Sequence, residues 1–345
     1  MKSIEFVSGK INPFESIGIT DALSFFSSFY GRIPFVSDRT GILNQFSQYN
    51  ITEQNELFPD GNIEKTFRDI CEETTQAIID KSNNENKDIY VSWSGGVDST
   101  LVAVLLTYAI PEKIILLHTS ESLQEYARLF YFSRDLNVRT KHILPETMPY
   151  WYKEITKNNL LITGWPADIL FGTDILIDDC RLKPYLRKPY QQFLLAHNGI
   201  KFVDQFDLLI KSTGLKIEKT IELMWLINFV CRWKPAIWNT LINCTNNGNL
   251  INFYDNQGFQ KYAVRNYRKI RSIPDIEPAQ YKKELKDIII SYTKDDNFIY
   301  KTKVKSWNKF SKQSLEQLTI KTDSGFIFLK PSLSEYLNFL KQFKK

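Results

Sequence analysis

Between residues 88 and 163 the chain alternates between two kinds of block. Short, largely apolar runs cover residues 89–93, 113–118 and 160–163, and 138–144 also reads as a strand. Stretches with helical spacing separate them at 98–110 and 122–137, the second carrying Leu123, Tyr126, Ala127, Phe130 and Tyr131 on one side. Apolar strands alternating with amphipathic helices predict an α/β fold with a parallel sheet covered on both faces. In such sheets ligands bind beyond the carboxyl ends of the strands, where the strand order reverses. After about residue 183 the pattern is mostly helical, punctuated at Pro184, Pro189, Gly199, Gly214, Pro235, Gly248, Pro274 and Pro278. The longest apolar run, 221–231, predicts a buried helix and is too short to span a bilayer. Residues 1–86 are less regular, and the polar run 81–87 marks the expected boundary between a small N-terminal domain (1–86) and the α/β domain (87–345).

Composition narrows this picture only slightly. A hydrophobic content of 43% and a charged content of 24% over 345 residues suit a globular chain with material for a large core. The net charge of +5 suits an anionic ligand and is a weak argument for nucleic acid. Cys71, Cys180, Cys231 and Cys244 form no Cys-x-x-Cys pair and only three histidines occur, which argues against structural zinc. Scattered cysteines and an N-terminus without a basic-then-apolar build imply a cytoplasmic protein with no membrane partner.

The candidate chemistry sits at Ser94-Gly95-Gly96-Val97-Asp98-Ser99, where the strand 89–93 gives way to a helix. A helix N-terminus offers unpaired N–H groups and a positive dipole end, so this turn favours an anion such as phosphate. Gly95 and Gly96 allow close approach of the backbone, and the Ser94 and Ser99 hydroxyls add donors. The lysine of a Walker A loop is missing, and an acid, Asp98, stands in the turn instead. A carboxylate beside phosphates is repulsive unless a divalent cation lies between them. The turn therefore predicts Mg²⁺ as well as a phosphorylated ligand.

This segment resembles the S-G-G-x-D-S pyrophosphate loop of the ATP pyrophosphatase families, which include asparagine, GMP and NAD synthetases and several tRNA-modifying enzymes. The resemblance implies an adenine-nucleotide α-hydrolase-like domain that binds ATP, grips the β- and γ-phosphates and releases pyrophosphate from an adenylated substrate. A second segment, Thr163-Gly164-Trp165-Pro166-Ala167-Asp168-Ile169-Leu170-Phe171-Gly172, is similar to the T-G-x-x-A-D-x-L-F-G stretch of asparagine synthetases and β-lactam synthetases. It follows another apolar run, so Asp168 would lie at a strand end and could join Asp98 around one Mg²⁺.

Further matches follow in family order. Asn252-Phe253-Tyr254-Asp255 resembles P-F-L-D, and Tyr281-Lys282-Lys283-Glu284-Leu285 resembles the K-Y-x-L-R helix. Lys301-Thr302-Lys303-Val304-Lys305 falls where that family carries R-x-K, whose lysine neutralises charge on the reacting phosphates. That alignment makes Lys303 the catalytic lysine together with Asp168, puts Lys301 in the arginine place and leaves Lys305 as the alternative. The nucleotide set it implies is Ser92, Ser94, Gly95, Gly96, Asp98, Ser99, His118, Thr119 and Gly164, with Asp98 and Asp168 on the metal. Upstream, Asp38-Arg39-Thr40-Gly41 resembles the D-R-x-G stretch of a glutaminase domain, and Phe58-Pro59-Asp60-Gly61 its L-P-P-G turn. Lys2 stands where that domain has its nucleophilic cysteine, so the segment reads as a remnant without glutaminase chemistry.

One departure concerns the substrate. Trp165 and Ile169 replace the two glutamates of the family's G-E-G-A-D-E segment, so the resemblance implies a carboxylate acceptor other than, or in addition to, aspartate. The expected function is an AMP-forming C–N ligase taking ammonia or an amine as nucleophile. The alternatives are a nucleobase- or tRNA-modifying adenylating enzyme, not favoured, and an inactive nucleotide-binding subunit.

Overall fold

The computed structural model describes residues 4–8, 22, 25–26, 38–46, 57–171, 182–241, 243–269, 278–301, 318–322 and 325–329. The strands are β1 (Ile4–Ser8), β2 (Ile89–Ser92), β3 (Ile114–His118), β4 (Arg139–His142), β5 (Leu160–Thr163), β6 (Leu250–Asn252), β7 (Leu318–Thr322) and β8 (Gly325–Leu329). The α-helices are α1 (Phe67–Glu85), α2 (Val97–Ala109), α3 (Ser120–Asp135), α4 (Met148–Asn158), α5 (Ala167–Phe171), α6 (Tyr190–Ala196), α7 (Val203–Thr213), α8 (Thr220–Cys231), α9 (Trp233–Leu241), α10 (Gln257–Arg265) and α11 (Lys283–Thr293). Among the described residues no helix is long and apolar enough to cross a membrane.

The chain forms two compact units, each assembled from separated segments: residues 1–58, 172–235 and 311–345 in one, and 59–171 and 236–310 in the other. The second contains the α/β sheet expected from the alternation. Its five parallel strands run in the order β4-β3-β2-β5-β6. The chain winds outward from β2 through β3 to β4, then resumes at β5 on the other side of β2. The strand order therefore reverses between β2 and β5, and this is where a parallel sheet opens a crevice for ligand. The burial of β3 and β5 at every position explains their unbroken apolar runs.

The strand predictions at 89–93, 113–118 and 160–163 match β2, β3 and β5 closely. The face predicted for 122–137 is shifted. Ser122, Tyr126, Leu129 and Ser133 are buried on α3, whereas Ala127 and Tyr131 are exposed. Tyr126 has non-helical dihedrals (φ −154°, ψ 74°) and marks a kink, yet the buried positions keep i, i+4, i+7, i+11 spacing, so the stripe is continuous and is turned away from the predicted face. The polar run 81–87 closes α1 and leads into β2, inside the sheet-bearing unit; Asn86 ends the helix in the left-handed conformation. Helix α1 packs in this unit through Phe67, whose ring meets those of Phe171, Phe259 and Tyr262. Contacts divide the chain at 58/59, beside the Phe58–Gly61 segment. Gly61 has a φ of 65° in that segment, and Asp60 accepts the Asn62 N–H at 3.0 Å.

The other unit carries an antiparallel sheet in the order β1-β7-β8, in which the first described strand pairs with β7 and β7 with β8. Apolar periodicity does not predict such long-range pairing. The run 221–231 forms α8, in which Thr220 and every residue from Glu222 to Cys231 are buried. Asp38 is buried in the D-R-T-G stretch and accepts the Thr40 and Leu43 N–H groups at 2.8 and 2.9 Å, while the Arg39 guanidinium lies over Phe229 and Trp233.

Candidate active site

The loop after β2 is held from both sides. The Trp93 N–H donates to the Leu117 carbonyl at 3.0 Å, and its indole N–H donates to Thr100 Oγ1 at 3.0 Å. The Ser94 N–H donates to Ser99 Oγ at 3.1 Å, and the two serine hydroxyls lie 2.9 Å apart. Gly96 begins α2 with no side-chain cap, so the first amides of this helix are left to a ligand or solvent. Gly95 has a φ of 81°, and a Cβ there would stand 2.7 Å from both the Ser122 carbonyl oxygen and Glu125 Cβ. Glycine is required on both counts.

Gly164 brings the second motif against the first. A Cβ at this position would lie 2.9 Å from the Ser99 nitrogen and 3.1 Å from the Asp98 carbonyl carbon. The end of β5 can therefore rest directly on the opening turn of α2. Thr163 Oγ1 donates to Asn252 Oδ1 at 2.6 Å, and the Phe253 and Tyr254 amides donate to the Thr163 and Trp165 carbonyls at 3.0 and 3.2 Å. The buried Tyr254 hydroxyl then donates to the Asp98 carbonyl at 3.1 Å. The third resembling segment, 252–255, thus props both loops.

This packing brings Asp98 and Asp168 to one point, and Lys282 occupies it. The Lys282 ammonium donates to both Asp98 carboxylate oxygens, at 2.7 and 2.5 Å, and to Asp168 Oδ1. Its side chain is only 2% exposed. Burial opposes the charge, but the Asp168 and Asp98 carboxylates outweigh it and hold the ammonium well above the ordinary lysine range. Lys282 also adopts a left-handed backbone conformation (φ 51°), which costs a side-chain-bearing residue about 1–2 kcal/mol.

Sequence reasoning placed Lys282 in a matching segment and gave it no role. A signal was present: Lys282, Leu285, Lys286 and Ile289 follow i, i+3, i+4, i+7 spacing, so two lysines sit on the stripe that α11 buries. Lysines on such a stripe need partners.

Lys303 and Lys305 lie outside the described residues. Lys301 comes up behind the loop, where its ammonium donates to the Glu125 carbonyl at 2.6 Å. Burial pushes Lys301 down, with the Glu125 charge working against that shift. The neighbouring Lys286 donates to the Pro278 and Ile299 carbonyls at 2.6 and 2.9 Å, and burial, reinforced by the Lys282 and Lys301 charges, brings it to about 8.

The remaining predicted residues line a narrow cleft between the ends of β2 and β3, with Ser92, Ser94, His118, Thr119, Glu121 and Met148 among its walls. Ser92 Oγ and Tyr152 Oη are 2.7 Å apart. The Thr119 hydroxyl accepts the Ser122 N–H at 3.2 Å and caps α3. Burial, with a smaller effect of His142, pushes the His118 imidazolium down, so a neutral ring faces the cleft. Trp165 is 39% exposed beside Asp168.

No family model matches the chain, and no curated protein matches it. Among solved structures it is similar to the NH3-dependent NAD synthetase from Campylobacter jejuni subsp. jejuni NCTC 11168 in complex with the nitrate ion. The identity is 18% and the TM-score 0.30, over 48% of this chain and 93% of that one.

Proposed function

We propose that this protein is an ATP-dependent adenylating ligase that forms a C–N bond and releases AMP and pyrophosphate. One observation carries the reading: Asp98 and Asp168, from the first turns of helices that follow two adjacent parallel strands, converge on a single cation beside an uncapped helix N-terminus. In this assignment the cleft at Ser92, His118 and Thr119 takes adenine. The α2 amides, Ser94 and Ser99 hold the outer phosphates, and Gly95, Gly96 and Gly164 provide the close approach.

The two carboxylates suit Mg²⁺, a hard cation that takes one or two carboxylates and completes its shell with phosphate and water oxygens. Asp98 and Asp168 would hold it, and it would spread the charge that develops on the phosphates. Lys282 adds a second positive charge at the same point, with Lys303 retained as the lysine that the R-x-K resemblance assigns. An acceptor carboxylate oxygen attacks the α-phosphorus and pyrophosphate leaves. An amine or ammonia then attacks the adenylated carbonyl and AMP leaves. The chain's contribution is alignment and charge stabilisation. The half-exposed Trp165 supports an acceptor with an apolar face, in keeping with the loss of the family's glutamate.

ATP–[³²P]pyrophosphate exchange, screened with amino acids, other small carboxylates and RNA, tests this. Exchange stimulated by a carboxylate is expected. Stimulation by RNA alone overturns the acceptor assignment in favour of nucleobase modification, and ATP binding without exchange under any acceptor overturns the enzyme.

A further inference from the structure

Lys282 stands where a metal ion would be expected. Its ammonium is shared by two carboxylates, its backbone is in the left-handed region and its side chain is buried. The conformation is unfavourable for lysine and is kept only because the surroundings dictate it. The two carboxylates could not remain this close and charged without a cation between them. Within the described residues no cluster of three or more His, Cys, Asp or Glu groups offers a metal a complete protein site.

We propose, resting on the nucleotide reading above, that Lys282 is the resident counter-cation of the Asp98–Asp168 pair and keeps free divalent metal out until nucleotide arrives. A bare divalent ion would have to expel the ammonium into surroundings that already hold Lys286 and Lys301, with no new negative charge to receive it. A metal–nucleotide complex brings that charge in its phosphates. The ammonium can then pass from carboxylate to phosphate oxygens while the metal takes its place between the acids. Lys282 thereby couples metal loading to nucleotide binding, a positioning role distinct from that of a simple structural ion pair.

Mn²⁺ serves as the probe, with binding to the full chain followed by the electron paramagnetic resonance signal of the free ion. The nucleotide-free wild type is expected to bind Mn²⁺ weakly. Lys282→Gln should bind it at least about tenfold more tightly, because one competing charge is gone from a buried site. Mn²⁺ should raise the thermal midpoint of Lys282→Gln and leave that of the wild type unchanged, while Lys282→Arg should remain as weak as the wild type. A glutamine variant no tighter than the wild type overturns the proposal. Should that variant not fold, tight Mn²⁺ binding by the nucleotide-free wild type, abolished by Asp168→Asn, overturns it equally; weak binding by both wild type and Lys282→Arg upholds it. With α,β-methylene-ATP present the wild type should gain at least about tenfold in Mn²⁺ affinity. If it gains nothing while the variant difference persists, the nucleotide reading falls and the exclusion of free metal stands.

Discussion

Replacing Gly164 with alanine tests the packing that builds the site. The new Cβ would stand 2.9 Å from the Ser99 nitrogen, and 3.1 Å from both the Asp98 carbonyl carbon and Ser99 Cα. All three are backbone atoms, so no change of rotamer relieves the overlap. The end of β5 and the first turn of α2 must part by a few tenths of an ångström. Overpacking of this kind costs about 1–3 kcal/mol, and the free energy of urea unfolding should fall by that amount. The effect on chemistry should be larger. Asp98 stands on one side of the contact and Asp168 on the other, and both must reach the same cation. A misplacement of ~1 Å costs on the order of 100-fold in rate, so a shift of a few tenths should cost on the order of tenfold. Exchange of labelled pyrophosphate into ATP, measured beside urea unfolding, reads both quantities. Gly96→Ala is the control for the unfolding measurement alone, because Gly96 itself belongs to the proposed phosphate cradle. Its Cβ would meet only Ser94 Oγ, at 3.5 Å, and its φ of −71° suits alanine, so the loss should stay below about 1 kcal/mol. A Gly164→Ala protein with wild-type unfolding and wild-type exchange would refute the claim that backbone contact aligns the two acids.

Asp168→Asn leaves Lys282 with one carboxylate in a buried site; stability should fall by about 3 kcal/mol in urea unfolding and Mg²⁺-dependent exchange should vanish, as it should in Asp98→Asn. Wild-type exchange in either variant would remove the metal assignment. Stability should rise between about pH 8 and about pH 10. Lys286 holds its proton only to about 8 in the fold, whereas an unfolded lysine keeps it to about 10.4, so the unfolded chain binds more protons in that window. The lowered Lys301 acts with the same sign, and the raised Lys282 keeps its full contribution throughout the window. Urea midpoints across this range should show a flatter profile for Lys286→Met, and an unchanged slope in that variant would count against the assignment.

Much of the sheet was legible along the chain because β3 and β5 are buried at every position, and total burial writes itself as an unbroken apolar run; β4, Arg139-Thr140-Lys141-His142, is mostly exposed and carries no such run. The run 160–163 is β5 to the residue. The loop after β2 was equally legible: Gly95 and Gly96 beside Ser94 and Ser99 mark a turn whose backbone must be approached closely. The α3 face was less legible because its buried stripe carries two serines, Ser122 and Ser133, which apolar periodicity does not pick out. The pairing of β1 with β7 joins residues more than three hundred positions apart, beyond the reach of any local pattern.

By itself the sequence determined the alternation of strands and helices, the glycine turn and the two acids at strand ends, since these are local properties of spacing and side-chain type. Only the tertiary structure decided that the acids meet, because their meeting depends on β5 lying beside β2 and on Gly164 resting against the Asp98–Ser99 backbone. It also decided which lysine joins them. Spacing could offer several lysines late in the chain, but the left-handed turn into α11 delivers Lys282 into the buried gap between two carboxylates, where an unpaired charge of either sign would be costly.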